Sequence, residues 1–211
     1  MSGLVPRGTS SKVGLTENLE ALKAFEALLK REGDKRGLLG PRELEILWDR
    51  HILNCLTLVE LIPQNSTVAD IGSGAGLPGL VLALTRSDLQ ITLIEPTLRR
   101  VEFLQEAIAE LNLGNVEVIQ GRAEDLVSKR KFSIVTARAV APMKKLVNLS
   151  LPLLKPGGYL LALKGEKAAI ELTEALEQIS KWNATSLGVV KLGLEIDTQA
   201  TAVVVKAKEN E

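Results

Sequence analysis

A glycine-rich segment that begins with an acidic residue is the part of the chain best suited to hold a ligand. It reads Asp70-Ile71-Gly72-Ser73-Gly74-Ala75-Gly76-Leu77-Pro78-Gly79 and lies between a short apolar run and a helical pattern. Because glycine has no Cβ, such a segment turns tightly and lets a bound molecule contact the main chain. Many turns contain three glycines, so the ligand must be inferred from the residues around them.

Two carboxylates narrow the choice of ligand. Asp70 precedes the first glycine, and Glu95 closes the next predicted strand, near the spacing of about 20 residues expected for a ribose-binding carboxylate. A dinucleotide binder would have glycine in place of Leu77, and Asp70 would repel its pyrophosphate. S-adenosylmethionine, in contrast, carries an ammonium and a sulfonium group. We therefore expect this cofactor to bind at Asp70, Gly72, Gly74, Gly76 and Glu95.

Two later loops are predicted to lie at the same edge of the sheet. Gly121-Arg122-Ala123-Glu124-Asp125 follows the third predicted strand and could wrap an adenine edge with backbone amides and a carboxylate. Thr136-Ala137-Arg138-Ala139-Val140 follows the fourth, at the edge where ligands bind in such folds. We expect Arg138 to have a functional role there.

The elements that must position these loops are predicted after Pro63. Short β-rich runs alternate with helical segments, which is typical of βαβ units and a mainly parallel sheet. Since no helix separates the last two strands, we expect them to form an antiparallel hairpin at the sheet edge. The predicted strands are Thr67–Ile71, Gln90–Ile94, Val116–Ile119, Phe132–Thr136, Tyr159–Leu163, Gly188–Leu194 and Ala200–Lys206. The predicted helices are Leu77–Thr85, Leu98–Leu111, Met143–Leu151 and Lys167–Trp182.

Two amphipathic helices are predicted before the sheet. Apolar residues recur at helical spacing from Leu15 to Arg31, with Thr16 as the candidate N-cap, and again from Pro41 to about Ile62. We expect a helical cap over residues 11–62 and the catalytic α/β domain over residues 63–211. Residues 1–10 contain a segment similar to a protease-cleavable expression-tag linker, so we expect them to be disordered.

The composition excludes several other classes of function. Lys plus Arg equals Asp plus Glu at 26 each, so any nucleic acid must be recognised by local patches rather than by net charge. The single histidine and single cysteine, His51 and Cys55, offer no cluster of metal ligands, and we expect no metal. No apolar run reaches the roughly 18 residues of a membrane span, and no leader pattern precedes the domain, so we expect a cytoplasmic protein.

Six segments of the sequence carry a family resemblance. They are Asp49-Arg50-His51-Ile52-Leu53-Asn54, the segment from Asp70 to Gly79, Arg99-Arg100-Val101-Glu102-Phe103-Leu104, Arg122-Ala123-Glu124, Ala137-Arg138-Ala139 and Ala162-Leu163-Lys164-Gly165. Together they resemble the small-subunit ribosomal RNA guanine-N7 methyltransferases, also called glucose-inhibited division protein B. The likeness covers nearly the whole chain after residue 10.

The resemblance implies a fold, a reaction and roles for single residues. The fold is a Rossmann-like class I S-adenosylmethionine-dependent methyltransferase with seven mostly parallel strands. The reaction is methyl transfer to N7 of a guanine in 16S ribosomal RNA, with S-adenosylhomocysteine as the product. By this likeness the cofactor is lined on its methionine side by Gly72 and Leu77, at its ribose by Glu95, at its adenine by Ala123 and Glu124, and at the mouth of the site by Arg138, which we expect to position the substrate.

The chemistry of guanine N7 agrees with the absence of a recognisable base or nucleophile. N7 has an in-plane lone pair and no hydrogen, so the protein has only to hold it in line with the sulfonium methyl group. Methylation at pyrimidine C5 usually needs a cysteine nucleophile, and Cys55 lies on a predicted helix far in sequence from any strand end. The segment after the fourth strand also lacks the Pro-Pro-aromatic element typical of enzymes that methylate exocyclic amines.

Several basic residues are candidates for binding RNA phosphates: Arg50, His51, Arg99, Arg100 and Lys164. His51 lies at an apolar-periodic position, so a structural role fits it equally well. Residues 36–43 depart from the family's pattern, which leaves the RNA contacts of the helical cap open. Since the net charge is zero, we expect the protein to recognise 16S ribosomal RNA already folded in a small ribosomal subunit or a late precursor. We also expect the protein to be a monomer.

Other functions stay open on the sequence alone. A small-molecule methyltransferase shares every feature of the cofactor loop and would be distinguished by a lid over its site. A non-catalytic regulator would bind S-adenosylmethionine without transferring its methyl group. A nicotinamide oxidoreductase is disfavoured by Leu77 and Asp70.

Overall fold

The central sheet contains seven strands within residues 6–209, the part of the chain that the computed structural model describes. Its strands are β1 Thr67–Ile71, β2 Gln90–Glu95, β3 Val116–Gln120, β4 Phe132–Arg138, β5 Leu154–Lys164, β6 Thr185–Leu192 and β7 Ala200–Lys206. They are arranged in the order β3-β2-β1-β4-β5-β7-β6.

The pairing of the strands confirms the predicted Rossmann-like fold. β1 runs parallel to β2 and β4, and the parallel array continues to β3 on one side and β5 on the other. β7 runs antiparallel to both β5 and β6, so the predicted hairpin at the sheet edge is present. The strand order reverses between β1 and β4, and ligands of doubly wound sheets bind at the carboxyl ends of strands at such a point.

The bounds of β4, β5 and β6 differ most from the prediction. β4 extends to Arg138, and β5 begins at Leu154 rather than Tyr159. β6 spans Thr185–Leu192, so it starts three residues and ends two residues earlier than expected. Gly188 lies inside it with φ +102°, beside an irregularity in the register. Glycine at this position therefore accompanies a bulge within the strand and does not mark its start.

The helices of the described chain are α1 Ser11–Glu17, α2 Leu19–Glu32, α3 Pro41–Glu45, α4 Leu53–Leu56, α5 Gly79–Thr85, α6 Leu98–Glu110, α7 Met143–Ser150 and α8 Ala168–Lys181. The prediction of one helix over Pro41–Ile62 is wrong. A π-helical turn over Leu47–Ile52 precedes α4, and a 3₁₀ turn over Thr57–Leu61 follows it. An extra residue in a turn changes the direction of the side chains that follow, and such turns are frequent at functional sites.

The first predicted helix is also interrupted, at Asn18 between α1 and α2. The amide of the Asn18 side chain donates to the Gly14 carbonyl at 3.0 Å, a local bond that competes with continuation of the helix. Thr16 is not the N-cap, because it lies inside α1 and its hydroxyl donates to the Lys12 carbonyl at 2.9 Å. The N-cap is Ser10, whose hydroxyl oxygen accepts from the amide of Val13 at 3.4 Å.

The N-terminal helices share one apolar core with a face of the sheet. Phe25 of α2 and Leu56 of α4 pack in the same cluster of buried side chains as Leu80 of α5 and Leu93 of β2. Helices α7 and α8 cover the other face, where Met143 is fully buried. Both faces of the parallel strands are therefore covered, as such strands require. The division of the chain between residues 62 and 63 stays a prediction.

Residues 6–10 pack against the 3₁₀ turn, so the expectation of disorder is wrong for them. The amide of Gly8 donates to the Glu60 carbonyl at 2.7 Å, and that of Thr9 donates to the Val59 carbonyl at 2.9 Å. Residues 1–5, which also fall under that expectation, lie outside the described residues.

Gly79, the first residue of α5, makes a close approach to the sheet. A Cβ at this position would lie 2.2 Å from Cδ2 of Leu93 and 2.8 Å from Oδ2 of Asp70. We predict that Gly79→Ala lowers the free energy of unfolding by about 2 kcal/mol, since a buried carboxylate and a packed leucine would have to move. Urea denaturation of the variant and wild type at neutral pH measures this difference in the free energy of unfolding.

The matched control is Gly114→Ala, where a Cβ would meet no atom within 4 Å. It should leave the free energy of unfolding within about 0.5 kcal/mol of wild type. Equal losses of stability in the two variants would contradict the close packing assigned to Gly79.

Candidate functional site

The glycine-rich segment forms a tight turn between β1 and α5. Gly72, Gly74 and Gly76 have φ of +65°, +55° and +84°, a region that favours glycine. A Cβ on Gly72 would also lie 2.9 Å from Cγ2 of Val140, in the loop after β4. The helix begins at Gly79 rather than Leu77, because Leu77 and the residue after it belong to the turn. The backbone conformation thus accounts for the three glycines.

Asp70 lies beneath the turn rather than at its surface. Its side chain is fully buried, its Oδ2 accepts from the amide of Gly79 at 3.0 Å, and its Oδ1 accepts from the hydroxyl of Thr136 at 3.3 Å. Burial raises the pKa of the Asp70 carboxyl to about 7. Asp70 therefore holds the start of α5 and gains or loses its charge near neutral pH.

Glu95 holds the other side of the turn. It is buried at the end of β2, where Oε2 accepts from the amide of Gly74 and Oε1 from the amide of Thr97, both at 3.0 Å. Arg100 of α6 lies 3.9 Å from Oε1. The Glu95 carboxylate thus fixes Gly74 relative to the segment that follows β2, in the position expected for a ribose ligand.

The loop after β3 lies next to Glu95. The amide of Gly121 donates to the Glu95 carbonyl at 3.2 Å, and a 3₁₀ turn over Ala123–Leu126 follows. Ala123 is buried in this turn, and Glu124 is exposed. The residues predicted to bind a cofactor therefore all lie on neighbouring strand ends and loops at the carboxyl edge of the parallel strands, which is the candidate cofactor crevice.

Arg138, the last residue of β4, is joined to the N-terminal segment through His51. Its Nη2 hydrogen-bonds Nδ1 of His51, and Oε2 of Glu43 lies 2.6 Å from Nε2 of the same ring. Since an arginine can only donate, His51 accepts at Nδ1 and carries its proton at Nε2, facing Glu43. Burial, together with the charge of Arg138, lowers the pKa of His51. A neutral histidine therefore orients Arg138.

Cys55 lies close to Arg138, although it is far from every strand end in sequence. Its thiol is fully buried near the Arg138 charge, and burial raises its pKa to about 12. The sequence argued against Cys55 as a nucleophile because of its distance from the strand ends. In the structure, the raised pKa of its thiol argues against this role instead. A thiol with that pKa is protonated at neutral pH and is a poor nucleophile.

Lys164, the last residue of β5, connects the first turn of α8 to the loop after β4. Its ammonium donates to the Ala141 carbonyl at 2.6 Å and to Oε2 of Glu171 at 2.8 Å. That same carboxylate oxygen accepts from the amide of Met143 at 3.0 Å. Lys164 therefore holds the residues 139–142 beside the crevice, and its role as an RNA ligand stays a prediction.

The other basic candidates separate into two places. Arg50 is exposed and lines a cavity of about 530 Å³ with Arg138 and Lys164. Arg99 and Arg100 lie at the start of α6, on the side of the crevice formed by β2. Sequence reasoning missed four residues that line the same cavity, because their positions follow from the pairing of β6 with β7 and the π-helical turn: Asn54, Lys191, Gln199 and Thr201.

The described part of the chain contains no group of three or more histidine, cysteine, aspartate or glutamate side chains placed to hold a metal ion. Among the helices of residues 6–209, none is long and apolar enough to cross a membrane.

The sequence comparison identifies the family. The family described as "GidB: rRNA small subunit methyltransferase G" matches residues 18–200. The chain belongs to this family. A relative from Nocardioides sp., named Ribosomal RNA small subunit methyltransferase G, is 47% identical over 193 residues, which are 92% of this chain and 77% of the relative. A relative of the same name from Thermobifida fusca is 50% identical over 188 residues, 89% of this chain and 79% of the relative.

Solved structures share the fold of this family member at low identity. The structure of M. jannaschii TYW2 in complex with AdoMet has a TM-score of 0.53 and 22% sequence identity, over 70% of this chain and 70% of that chain. The fold is therefore shared with a protein that was solved with AdoMet bound.

We predict that His51→Phe destabilises the protein by about 2 kcal/mol at neutral pH, because Arg138 and Glu43 lose a buried partner. The folded state keeps His51 neutral, so wild type loses stability as the pH falls through about 6.5, where the unfolded chain binds a proton. Since His51 is the single histidine, the stability difference between the two proteins should shrink as the pH falls from 7 to 5. Urea denaturation of both proteins between pH 7 and pH 5 measures this difference in the free energy of unfolding.

The titration of Asp70 is common to both proteins and cancels in this comparison. A stability difference that stays constant, or that widens at low pH, would show that the histidine is not held neutral between Glu43 and Arg138.

Proposed function

We propose that this chain transfers the methyl group of S-adenosylmethionine to N7 of a guanine in 16S ribosomal RNA and releases S-adenosylhomocysteine. The observation that carries the proposal is that the glycine turn, Glu95 and Arg138 lie at neighbouring strand ends, and that Arg138 lines a cavity together with Arg50. The proposed cofactor site and the proposed site of the guanine therefore lie next to each other, at the carboxyl ends of β1 and β4. Membership of the rRNA small subunit methyltransferase G family supports the same reaction.

Charge and backbone geometry support S-adenosylmethionine as the ligand of the crevice. The turn at Gly72 leaves main chain accessible, with Leu77 and Ala123 as apolar walls. Glu95 keeps a carboxylate at the expected ribose position, and Glu124 is exposed at the adenine side. The buried Asp70 carboxylate favours a ligand with a positive charge. M. jannaschii TYW2, whose fold is similar, was solved with AdoMet bound.

The residues around the crevice suit a reaction that needs positioning rather than a base. Of the groups near Arg138, His51 binds the arginine through Nδ1 and faces Glu43 through Nε2, and the Cys55 thiol is protonated. N7 of guanine has a free lone pair and attacks the sulfonium methyl directly. Holding N7 and the methyl carbon in line supplies several kcal/mol of the barrier. We assign Arg138 to hold the base, with His51 and Glu43 orienting the guanidinium.

The substrate that we propose is 16S ribosomal RNA already assembled in a small subunit or a late precursor. The relatives carry the name Ribosomal RNA small subunit methyltransferase G. The chain has no net charge, so its affinity for RNA must come from the local cations Arg50, Arg99, Arg100 and Arg138. Such a surface favours an RNA held in one shape over flexible RNA. We propose that the protein acts as a monomer in the cytoplasm, where it would meet this substrate.

The test is methyl transfer to small subunits, late precursors, deproteinised 16S RNA and short hairpins, followed by mass spectrometry of the nucleosides. We expect N7-methylguanosine at one site, formed fastest on assembled particles. The Gly72→Asp variant serves as the inactive control, because Gly72 has a positive φ and a side chain would collide with Val140.

A matched variant separates cofactor from RNA binding. Arg99→Ala should keep the affinity for S-adenosylmethionine near that of wild type and raise the KM for RNA. Methylation of a different atom, or equal rates on all four RNAs, would contradict the proposed target or the proposed particle. Tight cofactor binding without transfer to any RNA would favour a regulator.

A further inference from the structure

The cavity beside Arg138 is built from distant parts of the chain. Its walls come from the π-helical turn and α4, the ends of β4 and β5, the start of α8 and the edge hairpin of β6 and β7. Its volume of about 530 Å³ falls within the range of small-ligand sites. At one end it includes Arg138 and Ala139, next to Val140, which packs against the glycine turn. The cavity therefore lies beside the strand ends that we propose for the cofactor.

The charges that line the cavity favour an anion. Lys164 and Glu171 neutralise each other at 2.8 Å. The remaining charged groups are the cations Arg50, Arg138 and Lys191 and the exposed carboxylate Glu166 at the rim. Positive charge is thus in excess in a concave site, where it acts more strongly than on a flat surface.

In the described part of the chain, Arg50 and Lys191 are the cavity cations that are neither paired with a carboxylate nor bound to His51. Within residues 6–209, neither forms an ion pair with an acidic side chain, and both are solvent accessible. Lys191 of β6 donates to the hydroxyl of Thr201, its partner on β7, at 2.8 Å. This bond holds the ammonium at the cavity wall, and two of its three protons stay available for a ligand.

The lining of the cavity does not suit the stacking of an RNA base. It contains polar side chains such as Asn54, Gln199 and Thr201, and none of its residues is aromatic. Recognition of unstacked bases uses aromatic faces, whereas phosphate is bound by lysine, arginine and small polar groups.

We propose that this cavity binds a backbone phosphate of the RNA strand that carries the target guanine, with Lys191 and Arg50 as its ligands. The inference rests on the proposed function and adds the edge hairpin to the RNA-binding surface. The phosphate lies at the hairpin end of the cavity, and the base lies at the Arg138 end, beside the methyl donor. Phosphate contacts fix the register of an RNA without reading its sequence. This contact would therefore determine how far the guanine extends toward the methyl donor.

The experiment compares Lys191→Gln with wild type by steady-state methylation of small subunits over a range of salt concentrations. Glutamine can still hydrogen-bond Thr201 and lacks the charge. We expect the KM for RNA to rise about fivefold at 0.15 M salt and the slope of log KM against log salt to fall by about 1, as for one lost phosphate contact. The dissociation constant for S-adenosylmethionine should not change, and Lys191→Arg should restore most of the RNA affinity.

Two controls separate a phosphate contact from a structural role. Thr201→Val removes the hydroxyl that holds Lys191 without changing charge, and we expect a smaller rise in KM with an unchanged salt slope. Lys181→Gln removes a distant exposed lysine of α8 and should leave both quantities unchanged.

Failure of the inference can be told apart from failure of the proposed function. If wild type methylates ribosomal RNA and Lys191→Gln has the same KM and salt slope, the cavity does not hold a phosphate. Equal effects of Lys191→Gln and Thr201→Val, with no change in salt slope, would assign Lys191 to hairpin stability and overturn the inference. If wild type methylates no ribosomal RNA, the proposed function fails, and the inference fails with it.

Discussion

The hydrogen bond from the amide of Gly79 to the buried carboxylate of Asp70 is the constraint on which the site depends. It joins the end of β1 to the first residue of α5 across the glycine turn. Glu95 makes a corresponding bond to Gly74 from the end of β2. The two carboxylates therefore determine the shape of the turn from below and from one side. Three glycines at positive φ are the consequence, because other residues rarely adopt this backbone conformation.

The second constraint is the contact between the N-terminal segment and the carboxyl end of β4. His51 lies between Glu43 and Arg138, so α3 and the π-helical turn help to orient a side chain at the end of β4. Lys164 supports the following loop through Ala141. The N-terminal helices are thus a layer of the fold that also helps to position Arg138.

The strand alternation and the glycine turn could be predicted from sequence because they depend on local patterns. Periodicity located all seven strands, and the sequence placed Asp70 and Glu95 beside the same glycine turn. Sequence did not reveal that Asp70 lies buried under the turn, since burial depends on the packing of α5 against β2. It also missed the break at Asn18 and the π-helical turn, where single hydrogen bonds and tertiary packing override helical periodicity. Cys55 beside Arg138 and Lys191 at the cavity are contacts between residues far apart in the chain, which no local pattern encodes.

The most direct test of the account is the pH dependence of S-adenosylmethionine binding, measured by calorimetry on wild type and Asp70→Asn. Burial raises the pKa of Asp70 to about 7, so a cationic ligand that favours the carboxylate should bind several-fold more tightly as the pH rises from 6 to 8. Asparagine can accept from the Gly79 amide through Oδ1 and donate to the Thr136 hydroxyl oxygen through Nδ2, and it does not titrate. The variant should therefore retain only the pH dependence of the ligand itself. The same pH dependence in both proteins would contradict the claim that the charge of Asp70 favours the cofactor.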